Sequence, residues 1–149
     1  MSMNLFTIGY EGLSFDSFLK YLIKFNINIV FDVRENPFSR KRGFSKSDLY
    51  KKLNLGRIQY IHLPQLGTPK SLRCELQIKR DYVHFFERYN TFLEDRIGYL
   101  NQILDILETK NVALMCYERE ASKCHRSAIA LKIKERSNNG IVIRNIRTS

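Results

Sequence analysis

Five segments of the chain carry the apolar patterns of β-strands. Apolar residues run almost unbroken through 27–33 and 111–117, as in strands that are buried on both faces. Segments 4–10 and 140–146 are rich in β-branched and other apolar residues, and glycines follow the first of them. Residues 58–67 alternate between apolar and polar before a proline and a glycine end the pattern. The pattern therefore predicts about five strands.

Helical spacing of apolar residues fills the gaps between these strands. Segment 13–25 has this spacing, and Ser14 is a suitable N-cap. Segments 45–54 and 123–136 predict a short helix and a last, longer one. Two stripes occupy the middle of the chain, one of Tyr82, Phe85, Phe86, Tyr89 and Phe92 and one of Ile97, Leu100, Ile103, Leu104 and Leu107. Aromatic residues at this spacing are more typical of a core than of a base-stacking surface.

The alternation of strands and helices predicts the fold class. It indicates an α/β fold of three layers, with a mostly parallel central sheet of about five strands and helices on both faces. The sequence shows no internal repeat, low-complexity tract or linker, so we predict a single domain over residues 1–149.

Composition places the chain among globular proteins. Apolar residues make up 44%, and no apolar stretch approaches the roughly 20 residues of a membrane span. The first residues lack the pattern of a signal peptide, so we expect a cytoplasmic protein with no membrane partner. The three cysteines at 74, 116 and 124 are an odd number, which favours free thiols in a reducing compartment.

The net charge of +10 suggests partners that carry phosphate, although excess lysine and arginine can also simply solvate a surface. Basic residues cluster in 39–57. The candidate nucleic-acid contacts there are Arg40, Lys41, Arg42, Lys51 and Lys52. Phe44 and Tyr50 are available in the same region to stack on bases.

Candidate chemistry lies just after the strands, because open parallel sheets bind ligands at the carboxyl ends of their strands. The polar residues at these positions that we take as ligand-binding candidates are Tyr10, Asp32, Arg34, Ser39, His62 and Arg126. Asp32 and Arg34 are two apart and share one face of their strand. The pair satisfies itself, or Arg34 offers its planar guanidinium to a phosphate or carboxylate; both interpretations stay open.

The segment that starts the last helix carries the best catalytic candidates, which are Cys124, His125 and Glu118. Unpaired backbone N–H groups at a helix start hold anions and lower the pKa of a thiol. Cys124 is thus either a nucleophile or an anion contact, and Glu118 or His125 would move protons. We interpret Cys116 as a buried structural thiol.

Two more specific sites are weighed for the same segment. A cysteine-phosphatase loop fits poorly, because Arg126 follows Cys116 by ten positions and the loop between them is acidic and lacks glycine. The spacing of Cys116, Cys124, His125 and His62 matches no zinc pattern. We therefore predict no metal and no other cofactor.

Four stretches together carry a family resemblance: "TIGYEG", "DVRENPFSRKRGFSK", "YIHLPQLGTP" and "CYEREASKCHRSAIA". In this order, from about Thr7 to Ala130, the chain resembles the domain of unknown function 488 family. The resemblance implies a compact α/β domain and no established reaction. The family's recurrent positions would be Gly9, Tyr10, Asp32, Arg34, Pro37, Ser39, His62, Leu66, Gly67, Cys116, Glu118, Cys124, His125 and Arg126.

Three functional hypotheses follow. The first is an anion- or phosphate-binding, catalytic site at the carboxyl edge of the sheet that acts on a nucleotide or nucleic acid. Arg34 and Arg126 would bind its phosphate. The alternative is a non-enzymatic nucleic-acid-binding module that uses the basic 39–57 region, and a third, weaker hypothesis is a structural or regulatory partner of another protein. The sequence decides neither catalysis against binding nor the oligomeric state.

Overall fold

The computed structural model describes residues 3–138 and 140–148. Within them, five strands alternate with six α-helices and two short 3₁₀ turns. In chain order the elements are β1 Met3–Gly9, α1 Phe15–Lys24, β2 Ile29–Asp32, α2 Lys46–Leu55, β3 Gln59–His62, a 3₁₀ turn Pro64–Leu66, α3 Lys70–Lys79, α4 Tyr82–Glu94, α5 Ile97–Leu107, β4 Val112–Cys116, a 3₁₀ turn Ala121–Lys123, α6 His125–Arg136 and β5 Ile141–Asn145.

The five strands form one parallel sheet in the order β3-β2-β4-β1-β5. Strand β4 thus lies between β1 and β2, although it follows both of them in the sequence. Gly9 pairs with Cys116, and Asp32 pairs with Met115, so three carboxyl ends meet at the middle of one edge. Such a crevice is where open α/β sheets bind ligands.

Helices cover both faces of the sheet, which confirms the predicted three-layer α/β fold. One apolar cluster joins the sheet to α1 and α2 through residues such as Phe18, Leu22 and Leu49. The other joins it to α3–α6 through residues such as Tyr89 and Leu100. The two-sided burial explains why β2 and β4 are apolar at almost every position.

The structure differs from the predicted elements at two places. The third strand ends at His62, because the chain turns into the 3₁₀ segment that Pro64 begins and then into α3, whose one buried residue is Leu72. The last helix begins at His125 rather than at residue 123. Cys124 precedes it in an extended conformation (φ −130°, ψ 143°) and is its N-cap residue.

The prediction of one domain over residues 1–149 includes Met1, Ser2, Asn139 and Ser149, which lie outside the described residues. Among the described residues, no helix combines the length and the apolar character that crossing a membrane requires.

Candidate active site

A cavity of about 260 Å³ opens at the carboxyl edge of the sheet. The ends of β1, β2 and β4 border it, together with α3, α4 and the start of α6. Its lining includes Tyr10, Arg34, Glu35, Thr68, Arg73, Cys116, Glu118, Lys123, Cys124 and His125. The cavity thus brings together candidates that are separated by up to 115 positions along the chain, from Tyr10 to His125.

Cys116 and Cys124 form a disulfide at the wall of this cavity. Their Cα atoms are 7.6 Å apart, and both residues are buried. The expectation of free thiols is therefore wrong for these two cysteines and holds for Cys74, which is free and exposed on α3. Cys116 is buried as predicted, but its sulfur is paired, because the chain returns from β4 to the start of α6 and brings Cys124 onto it.

His125 is held in one orientation by the backbone. Its Nε2 atom lies 2.7 Å from the carbonyl oxygen of Val33 and donates a hydrogen bond to it, since a carbonyl can only accept. Burial lowers the pKa of His125 to about 4, so the ring is neutral at pH 7. Its other nitrogen, Nδ1, then has a free lone pair, which lies 3.7 Å from the sulfur of Cys124.

Glu118 provides a carboxyl group beside the two sulfurs. Its Oε2 atom is 3.5 Å from the sulfur of Cys116. Burial raises the pKa of Glu118, against the opposing effects of its own backbone hydrogen bond and of the Arg126 charge. A raised pKa makes a carboxyl group a better proton acceptor than an ordinary, fully solvated one.

Arg126 is placed differently from the prediction, which made it a direct phosphate ligand. The residue is fully buried, and its guanidinium donates to the carbonyl oxygens of Glu118 and Arg119 at 2.5 and 3.1 Å. The same group donates to the sulfur of Cys116 at 3.1 Å. Burial lowers the pKa of Arg126 to about 10, which leaves it charged at pH 7. Arg126 therefore supports the loop after β4 instead of contacting a ligand.

Asp32 and Arg34 form a buried ion pair, as one of the two open interpretations held. The carboxylate of Asp32 accepts from Arg34 Nε at 2.8 Å and from Nη2 at 2.7 Å, and the hydroxyl of Tyr60 donates to it at 2.5 Å. Asp32 is fully buried, so its predicted contact with a ligand is corrected to a contact with Arg34. Arg34 itself lines the cavity, where Nη1 donates to the hydroxyl of Tyr10 at 3.1 Å.

Ser39 and His62 shape the loops rather than the cavity lining. The Ser39 hydroxyl accepts from the backbone N–H of Lys41 at 3.1 Å. The Nε2 atom of His62 lies 2.7 Å from the carbonyl oxygen of Arg34, and His62 lines a separate groove beside α2. Both residues thus hold the segment that follows β2.

Two glycines let backbone segments meet at this edge. A Cβ atom on Gly9 would overlap the carbonyl group of Glu118, which crosses directly over the end of β1. A Cβ atom on Gly67 would overlap the backbone of Glu35. These close approaches need residues without side chains, and they determine where Glu118 and Glu35 lie.

Sequence reasoning missed several residues of the cavity, above all Arg73 and Lys123. Arg73 reaches it from α3 and pairs with Glu35 at 3.2 Å. Lys123 lies in the 3₁₀ turn just before Cys124. The "LPQLGTP" turn after β3 was the available signal for Arg73, since it directs α3 back over the edge of the sheet.

Comparison with known proteins supports the resemblance drawn from the motifs. A search of curated proteins and a search of solved structures gave no match. The sequence model of the family described as "Domain of unknown function DUF488" matches residues 14–133, which include β2, β4 and the start of α6 with Cys124. The match covers more than half of the chain, and the chain therefore belongs to the DUF488 family.

Proposed function

We propose that this DUF488 chain is an enzyme that binds a small anionic molecule in the edge cavity and acts on it through the thiol of Cys124. The observation that carries the proposal is the orientation of His125. Its Nε2 atom is bound to the carbonyl of Val33, so the lone pair of Nδ1 is directed to the side where Cys124 lies, 3.7 Å away. A nucleophilic cysteine next to an oriented base is the usual arrangement for covalent catalysis.

The charges around the cavity favour an anionic ligand. Arg34, Arg73 and Lys123 line it, against the acids Glu35 and Glu118. Arg34 is already paired with Asp32, and Arg73 with Glu35, whereas Lys123 is paired at 3.6 Å with the exposed Glu120, a weak contact in water. A volume of about 260 Å³ suits a small phosphate- or carboxylate-bearing molecule, or the phosphate end of a nucleotide, better than a nucleic-acid strand.

The chemistry requires the reduced cysteine pair, since each sulfur of the disulfide is bonded to the other. An external thiol first reduces the disulfide and is itself oxidised. Nδ1 of His125 then accepts a hydrogen bond from the Cys124 thiol and takes up its proton only as the sulfur bonds to an electrophilic atom of the substrate, because burial disfavours a free imidazolium. The group that this atom releases leaves with its bonding electrons and takes up the proton from His125 or from Glu118.

Two alkylating reagents of different charge test the site in the reduced, chelator-treated protein. Iodoacetate is an anion and iodoacetamide is neutral, and both react with the thiolate. Their rate ratio at Cys124, measured by peptide mass spectrometry, therefore reports local charge independently of the thiolate fraction. We expect the iodoacetate rate divided by the iodoacetamide rate to be higher at Cys124 than at a model thiol. In K123A this ratio should fall by about threefold or more.

Lys110 provides the matched control, because it is exposed and precedes the amino end of β4, at the opposite edge of the sheet. K110A should leave the ratio at Cys124 unchanged. Cys74 serves as an internal check on reagent activity, since it is free and exposed. Equal ratios at Cys124 and the model thiol, or the same ratio in K123A as in the parent protein, would contradict an anion site.

A separate groove beside α2 supports the alternative of nucleic-acid binding. It has a volume of about 590 Å³, and its lining includes Phe38, Tyr50, Lys46 and Lys51. Phe38 is 83% and Tyr50 59% exposed, as aromatic residues that stack on bases would be. Phe44, in contrast, is fully buried, which corrects its predicted availability for stacking.

The five predicted phosphate contacts in 39–57 divide into two groups. Arg40, Arg42 and Lys51 are exposed, as predicted phosphate contacts need to be. Lys41 and Lys52 are half-buried, and their ammonium groups lie 5.7 and 4.9 Å from the ring centres of Phe44 and Phe15. These two are therefore weaker candidates for phosphate contacts than the other three.

Fluorescence anisotropy with a labelled single-stranded oligonucleotide tests this alternative. If the groove binds nucleic acid, affinity falls steeply between 50 and 200 mM salt, and Y50A and K51A weaken binding about tenfold while K110A has a much smaller effect. Binding that is insensitive to salt, or equally weakened by K51A and K110A, would exclude the groove as a specific interface.

A further inference from the structure

We infer that the reduced Cys116–Cys124 pair, together with His125, forms a binding site for a thiophilic divalent metal ion, with Zn²⁺ as the expected ion. The sulfur atoms and one ring nitrogen lie within 4.8 Å of one another, and all three residues are buried. Two thiolates and an imidazole are ligands that zinc prefers. The spacing along the chain hides this group, because it follows no known zinc motif and becomes compact only through the fold.

The distance between His125 and Cys124 suits a shared ion. Zinc–sulfur and zinc–nitrogen bonds of about 2.3 and 2.0 Å place neighbouring ligands of a tetrahedral site about 3.5–3.8 Å apart. Nδ1 of His125 and the sulfur of Cys124 are 3.7 Å apart. The Cα atoms of Cys116 and Cys124 are separated by 7.6 Å, beyond the roughly 4.4–6.8 Å usual for disulfides. An ion between the two sulfurs is compatible with this wider separation.

Groups behind the ligands already hold them in place. A histidine that binds a metal usually donates its other ring N–H to a carbonyl or carboxylate, which fixes its tautomer. Nε2 of His125 does so to Val33, and Nδ1 is left free to bind. The guanidinium of Arg126 donates to the sulfur of Cys116 at 3.1 Å, which stabilises the thiolate form that a metal requires.

The fourth position of such a site would be accessible from the cavity. Cys116, Cys124 and His125 all line it, and Glu118 lies beside them with its Oε2 atom 3.5 Å from the sulfur of Cys116. Three protein ligands and one position open to a cavity are typical of sites where zinc keeps a water molecule or a substrate atom as its fourth ligand.

Metal binding and thiol reactivity are then alternative states of one cluster. The bound ion uses the electron pair of the Cys124 thiolate, so it should prevent attack on a substrate or an alkylating reagent. The occupancy of the ion does not depend on the proposed catalysis, whereas this inhibition rests on the proposed function. The disulfide is the oxidised, metal-free state, in which neither sulfur is available to an ion.

Titration with Co²⁺ as a spectroscopic substitute tests the site in the intact protein, kept reduced with a phosphine and free of oxygen. We expect thiolate-to-cobalt charge-transfer absorption and the visible bands of a tetrahedral ion, saturating at one ion per chain. One equivalent of Zn²⁺ should remove them. C116S and C124S should lose most of the charge-transfer absorption, and C74S should retain all of it, because Cys74 lies outside the cluster.

The parent protein alone can overturn the inference, whatever the variants do to folding. Absence of charge-transfer absorption from the folded, reduced protein, shown to be folded by circular dichroism, would contradict a metal site. So would absorption that C74S removes and C116S and C124S both retain. Because the alkylation experiment uses chelator-treated protein, a failure of the metal site leaves its result unchanged, and a failure of the anion site leaves the cobalt titration unchanged.

Discussion

The Nδ1 atom of His125 lies 3.7 Å from the sulfur of Cys124, and the peptide carbonyl of Val33 determines which ring nitrogen faces that sulfur. Val33 directly follows β2, whereas Cys124 and His125 lie at the start of α6. The ring that faces the reactive thiol is therefore oriented by a residue that is distant in sequence. If His125 acts as a base, the reactivity of Cys124 depends on its free ring nitrogen; if His125 only fills space, it does not.

Substitution of His125 by two different amides should distinguish these roles. In H125Q the amide can still donate to Val33 but offers no acceptor at the Nδ1 position, whereas in H125N the side chain can place an oxygen there and loses the contact with Val33. We expect alkylation of Cys124 by iodoacetamide to slow by about 100-fold, the lower end of what a positioned base supplies, in H125Q and H125N alike, because neither amide can take up the thiol proton.

Peptide mass spectrometry of the reduced, metal-free protein measures these rates. The rate at Cys74 should stay constant across the variants, since that cysteine is exposed on α3. A slower reaction in H125N than in H125Q would show that the bond to Val33, and not the lone pair, governs the thiol.

Arg126 is expected to contribute more to stability than any exposed arginine. R126M removes the donors to the carbonyls of Glu118 and Arg119 and leaves both without their partner, at an expected cost of about 3 kcal/mol in the free energy of unfolding. R136M, which removes an exposed arginine bonded to Asn101, should change stability by less than about 0.5 kcal/mol. Urea unfolding monitored by circular dichroism measures both, and similar values for the two variants would refute the support role of Arg126.

The strand ends that form the site were predictable from the sequence, because buried parallel strands have a strong apolar signal. The "FDVR" and "MCYE" segments end such strands, and the structure places Arg34, Cys116 and Glu118 at one edge of the sheet as that topology requires. Helix α3 was not predicted as a separate element, since Leu72 is its one buried residue, and with it Arg73 was missed.

The contacts within the loop after β4 were not predictable, since they depend on the path of its backbone. An arginine at a helix start is usually exposed, so burial of Arg126 follows only from two loop carbonyls that turn toward it. The pairing of Cys116 with Cys124 depends on the same path, which no local pattern indicates.

Gly9 is expected to be essential for that path. G9A would place a methyl group on the carbonyl of Glu118, and the overlap should destabilise the protein by about 3 kcal/mol or more, since neither backbone segment can move freely. The control is G98A on α5, where a Cβ atom meets nothing within 4 Å. It should leave stability unchanged or raise it by up to about 1 kcal/mol, because alanine favours helices. Thermal and urea unfolding compare the two, and a G9A protein as stable as G98A would mean that the loop does not cross β1 closely.

Tyr60 should make stability depend on pH in the alkaline range. Burial, followed by the nearby Asp32 carboxylate, raises the pKa of this phenol well above its ordinary value. Above about pH 10 the phenol ionises in the unfolded chain and stays protonated in the folded one, so the unfolded state is favoured as pH rises.

The variant Y60F lacks this ionisable group. At pH 7 it should be less stable than the parent by about 1–3 kcal/mol, because Asp32 loses the hydrogen bond from Tyr60. The difference should shrink as pH rises from 9 to 11, whereas Y50F, which changes a 59% exposed tyrosine, should follow the parent at every pH. Urea unfolding across this range measures the differences, and a constant gap between Y60F and the parent would show that Tyr60 ionises alike in both states.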